Sequence, residues 1–157
     1  MSLGTVRHGQ AERGFSLVEV VIAIGVLAGV LLSICSMFIL GGRQVKTGKT
    51  ITEATAISHA IMESFDTLSF TALYTTFGAA ATDTTKTVTS TTTGTPITPW
   101  QTEIDRKLEG GVATVTLLPE GPSTPNFGTA TGIRITVALT WTELGRAQTV
   151  TLSTVRF

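Results

Sequence analysis

From Phe15 to Leu40 the chain is apolar, interrupted only by Ser16, Glu19, Ser33 and Ser36. Coiled as a helix, these residues would extend about 39 Å at 1.5 Å per residue. A bilayer core of roughly 30 Å needs about 20 apolar residues, so the pattern predicts one membrane-spanning helix over 15–40. Residues 1–14 ahead of it, MSLGTVRHGQAERG, are short, polar and net basic.

Beyond Leu40 the spacing changes. Ile51, Ala54, Ile57, Ile61, Phe65 and Leu68 recur at intervals of three and four, which places them on one face of an amphipathic helix. Thr52, Glu53, Ser58, Glu63 and Asp66 fall on the remaining surface, and the pattern predicts helix over 41–74. Gly41–Gly42 separates the two helical patterns. Each glycine costs about 1 kcal/mol against alanine, so a bend or local melting is expected there. Residues 75–99 are expected to form a threonine-rich surface loop. Within it, 82–98 holds ten threonines in seventeen residues and too little apolar surface to pack, with room for a short edge strand.

Residues 100–157 are predicted to be an antiparallel sheet. In GIRITVALTW, Ile133, Ile135, Val137, Leu139 and Trp141 alternate with Arg134, Thr136, Ala138 and Thr140, the period of a half-buried strand. TELGRA supplies a turn at Gly145, and QTVTLSTVRF a second strand whose parity shifts between Leu152 and Val155, as a bulge or a fraying end would make it. GVATVTLL, ended by Pro119, supplies an earlier one. The fold class is α+β: a long N-terminal helix, half transmembrane and half amphipathic, laid on a small antiparallel sheet that needs the helix as a cover.

Composition narrows the chemistry. Eleven Lys and Arg balance eleven Asp and Glu, so no basic face points to nucleic acid. Cys35 is the one cysteine, and only His8 and His59 could supply imidazole. Asp83, Glu103, Asp105, Glu109 and Glu120 are scattered along the chain. The reading is of a protein that is not an enzyme, with no metal and no cofactor.

The start of the apolar run carries a more specific signal. A secretory signal has an apolar core of about 7–15 residues and a small-residue cleavage site, and this core is longer with no such site after it. A lipid-attachment reading at LLSIC fails on the bulky Ile34 before Cys35. A plain signal anchor leaves Gly14 and Glu19 unexplained. RGFSLVEV ahead of a long apolar helix resembles the cleavage and methylation motif of type IV prepilins and type II secretion pseudopilins.

That resemblance implies cleavage between Gly14 and Phe15 by a membrane prepilin peptidase, which also N-methylates Phe15, making residues 1–14 a leader peptide. It implies that Glu19 takes part in assembly by pairing with the amino terminus of a neighbouring subunit. Gly25, Gly29 and Ser33, spaced by four, would form the small-residue strip for helix packing. The expected partners are the peptidase, other pilin or pseudopilin subunits, an inner-membrane assembly platform and the lipid bilayer. The expected location is the inner membrane, single-pass, with the head periplasmic or extracellular. LVEVVIA, ATAISHAIMESF and VALTWTELGRAQTVTLSTVRF are most similar to PilV-type minor pilins. A Lys/Arg count runs against this orientation, with Arg7 and Arg13 in the leader against Arg43, Lys46 and Lys49 beyond the run. The competing reading is a single-pass binding protein or enzyme whose anchor only resembles a prepilin signal.

Overall fold

The computed structural model describes residues 14–157, so the proposed leader, with Arg7, His8 and Arg13, lies outside the described residues except for Gly14. The element order is α1 (Leu17–Asp66), α2 (Phe70–Thr76), β1 (Lys86–Thr89), α3 (Trp100–Lys107), β2 (Val112–Glu120), β3 (Gly132–Glu143) and β4 (Arg146–Arg156). An α+β arrangement of one long N-terminal helix and a four-stranded antiparallel sheet is therefore present. Two compact units divide the chain between Gln44 and Val45, with α1 contributing to both.

The first unit is helical from Leu17 onward, and its large apolar side chains are exposed, Phe15 and Leu17 at 80% and 79%. This stretch is long and apolar enough to cross a membrane, and none of it is buried within the protein. Ser33 and Ser36 return their hydroxyls to the carbonyls of Gly29 and Leu32, each at 2.9 Å, so neither donor would enter hydrocarbon unpaired. The local melting expected at Gly41–Gly42 does not occur, because helix continues through both glycines. A propensity cost of about 1 kcal/mol per glycine is smaller than the loss of several flanking backbone bonds.

In the second unit the strands form a meander in the order β1-β2-β3-β4. Ala113, Val115 and Leu117 of β2 and Ile133, Ile135, Val137 and Leu139 of β3 are fully buried, each alternating with a more exposed neighbour. Ala54, Ile57, Ile61 and Phe65 of α1 join the same core, as their spacing predicts. Burying each of the larger ones is worth roughly 1.5–3 kcal/mol. Ile51 is the exception at 41% exposed, and Ser58, assigned to the polar face, is instead completely buried. Ser58 follows Ile57 on the helix and lies inside the covered arc.

Several boundaries differ from expectation. The helix predicted to Tyr74 stops at Asp66, and a separate α2 begins after Ser69, whose Oγ accepts from Ala72 N at 3.2 Å. A serine able to cap favours a new start over continuation. Arg156 then donates from Nη1 to the Phe65 carbonyl at 2.8 Å, supplying the cation that the last turn of α1 lacks.

The segment read as loop over 75–99 holds the end of α2 and all of β1, so the short edge strand is present. Val88 and Ile97 from this segment are buried, contrary to its expected lack of packing. Threonine hydroxyls brace the turns, Thr98 Oγ1 donating to Thr92 O at 2.7 Å.

Residues 100–107, read as part of the sheet, form α3. Its Glu103 bonds Lys107 at 2.8 Å and Arg106 at 3.3 Å, and the Lys107 bond is the main cause holding its carboxyl below the ordinary range. A lowered carboxyl adds stability above its unfolded pKa that is lost as pH falls through its folded one, and exposure keeps the effect small. Gly111 is required by the close approach of α3, since a Cβ there would meet Ile104 Cγ2 at 2.5 Å.

Pro119 does not end β2, which pairs on through Glu120. β1 reaches only to Leu117, so the missing N–H of Pro119 falls where β2 has no second neighbour. β4 has no bulge, for its register with β3 is constant from Arg146 to Arg156. The apparent parity shift arises because Val155 faces outward, 38% exposed.

Replacing Arg156 with alanine removes the charged donor from the end of α1 and leaves the Phe65 carbonyl only its backbone bond from Leu68 N. The second unit should lose about 1.5–3 kcal/mol, the range for a hydrogen bond to a charged group, read as a lower urea midpoint.

Candidate functional site

Gly14, Phe15 and Ser16 precede the helix and are not helical. The Ser16 carbonyl accepts the first helical bond, from Val20 N at 3.2 Å, which makes Ser16 the capping position and Glu19 the third helical residue. Ser-x-x-Glu is the spacing of a capping box, and a carboxylate in a first turn is stabilised by the helix dipole by about 0.3–1 kcal/mol. The role of Ser16 was not singled out from the residues, although the spacing carried it.

Phe15 and Glu19 line one shallow concavity with Val20, Ala23, Ile24 and Leu27, so the proposed methylation and assembly residues share a face. Gly25 stands elsewhere, about a third of a turn round the helix from Glu19 at 3.6 residues per turn, whereas Ser33, five turns on from Phe15, returns to the side of Phe15. A Cβ built on Gly14, Gly25 or Gly29 would meet nothing within 4 Å, so nothing described in this chain requires those positions to be small. Cys35 is exposed on the same helix.

A second polar cluster lies in the second unit. Glu143, at the end of β3, is 6% exposed and accepts hydroxyl bonds from Thr47 at 3.2 Å and Thr50 at 2.7 Å. It borders a recess of about 160 Å³ with Lys46, Lys107, Glu109, Trp141 and Leu144. Trp141 Nε1 and Ser58 Oγ are buried with no hydrogen-bond partner among the described residues. Leu144 and Gly145 form the hairpin tip with φ of 51° and 74°. Two positive values are what a tight hairpin turn requires, and asparagine–glycine is its usual choice. Leucine pays about 1–2 kcal/mol for that backbone. TELGRA reveals the turn, while the pairing of Glu143 with threonines more than ninety residues away has no local signal.

Among the described residues, no group of three or more His, Cys, Asp and Glu gathers as a metal would need. Comparison with protein-family models, with curated proteins and with solved structures found no match.

Thr50→Val removes the shorter of the two hydroxyl bonds to a buried carboxylate. It should cost the second unit about 1.5–3 kcal/mol, and an unchanged urea m-value would show that native compactness is kept.

Proposed function

We propose that the chain is a prepilin-type subunit, a minor pilin or pseudopilin, cut after Gly14, N-methylated at Phe15 and assembled through α1 into a type IV pilus-like or type II secretion filament. The observation that carries this reading is RGFSLVEV running into the first turn of a helix that is apolar in its first half and packs on a sheet in its second. Its partners are the prepilin peptidase, other pilin-like subunits, the assembly platform and the bilayer. Its location is the inner membrane with the head on the far side. The exposed glycines support it, because a residue kept small with empty space beside it suits close approach by another helix.

Cleavage is tested by intact mass. The membrane-extracted protein should begin at Phe15 with one added methyl group, and at Met1 when the peptidase gene is deleted. Residue 1 retained in the presence of active peptidase would remove the family reading and leave a single-pass anchored binding protein or enzyme.

Glu19 has two candidate tasks, capping its own helix and neutralising the amine of a neighbouring Phe15. Gln keeps the capping spacing and removes the charge. If pairing with the amine governs assembly, Glu19→Gln and Glu19→Ala should both be processed and both fail to enter filaments. Breaking a buried pair costs on the order of 3–5 kcal/mol, more than a hundredfold in association. Normal assembly of Glu19→Gln beside failure of Glu19→Ala would assign the residue to capping alone.

A further inference from the structure

We propose that the tip of the β3–β4 hairpin is a membrane-surface contact, with Leu144 dipping among lipid headgroups while Lys46 and Arg146 take phospholipid phosphates. The proposal rests on the apolar run being a bilayer anchor and on no other part of the filament reading. Leu144 is a large apolar side chain 61% exposed at the apex of a turn, on a backbone conformation that leucine adopts poorly. Neither packing nor turn formation within the described residues accounts for leucine here, since asparagine would serve the turn better and the side chain covers no core. A leucine with a positive φ and an exposed side chain suits a surface that offers it an apolar layer.

The flanking charges suit the phosphate layer above that apolar zone. Lys46 and Leu144 border the same recess, and Arg146 is the direct cross-strand partner of Glu143. Neither Lys46 nor Arg146 forms an ion pair among the described residues, whereas Lys107 nearby is held by Glu103. Two carboxylates lie in the same neighbourhood. Glu143 is turned into the protein and bonded by two threonine hydroxyls, and Glu109 is exposed at the recess. The two free cations therefore remain for an outside anion.

Connectivity supplies the bilayer as that partner. The apolar run ends at Leu40, and Lys46 follows six residues later in the chain, so a tether of at most about 22 Å joins the two. The headgroup layer is about 5–7 Å thick on each side, and a lysine side chain reaches several ångströms further toward it. Through Thr47 and Thr50, the hairpin is bonded to the residues next to Lys46, the part of the second unit that follows the anchor in the chain. The far end of the sheet differs. The β2–β3 connection, residues 121–131, has no charged residue at all.

The test uses the full chain, one copy per lipid nanodisc of mixed phosphatidylglycerol and phosphatidylcholine, with leucine methyls labelled for NMR. A gadolinium-bearing headgroup lipid should broaden the Leu144 methyls severalfold more than those of Leu118, which is 43% exposed near the far end of β2. Lys46→Glu with Arg146→Glu should abolish that difference while the core methyl shifts stay in place. Equal broadening of Leu144 and Leu118 in the unaltered chain would overturn the proposal. So would a Leu144 signal indifferent to the double charge reversal. A spin label at the acyl-chain midpoint should broaden Leu27 and Leu31, and failure there would instead remove the anchor on which both readings rest.

Discussion

Helix α1 runs without a break through Gly41 and Gly42, and two different demands fall on its two halves. The same helix has to offer hydrocarbon-compatible side chains in its first half and a single apolar stripe in its second. The first half meets the demand by being apolar on every side beyond Glu19 in its first turn and by turning its two serine hydroxyls back on its own carbonyls. The second meets it with Ala54, Ile57, Ile61 and Phe65, whose stripe admits Ser58 as its one buried polar member. Termination is then assigned to Ser69, which starts a new helix, and to the Phe65 carbonyl, which accepts from both Leu68 N and Arg156.

Periodicity made most of this legible. A 26-residue run with only four polar members, a stripe at three and four, and strict alternation from Ile133 to Trp141 each point to one element because each is long enough for its period to repeat. α3 is eight residues with Ile104 as its one buried member, so no period could declare it. Val88 and Ile97 sit among threonines, and a window average hides two residues that are individually buried. The Ser69 cap was a local signal that an extended apolar stripe outweighed. Pro119 misled because its tolerance depends on how far a neighbouring strand reaches, which is a property of the sheet rather than of the segment.

For the candidate site the balance was similar. Gly14, Phe15 and Glu19 stood out as a contiguous motif, and Ser16 was readable from the spacing to Glu19. Glu143 was not, because its identity as a buried carboxylate depends on Thr47 and Thr50 arriving from the other end of the chain. Nor does the pattern of letters distinguish Leu144 from any apolar residue near a turn. Its interest comes from a dihedral angle and an exposure that only coordinates supply.

Two of the bonds that hold α1 to the sheet, Glu143 with Thr50 and Arg156 with Phe65, join residues 93 and 91 positions apart. Neither can form until nearly all of the intervening chain has been made, and closing such long loops comes late because their entropy must be met first. The helix stripe is synthesised well before the strands that cover it. During that interval Ala54, Ile57, Ile61 and Phe65 belong to an amphipathic helix with nothing to pack on, attached to a segment apolar enough to enter a bilayer. Burial of that stripe therefore waits for β2 and β3, the strands whose side chains share its core.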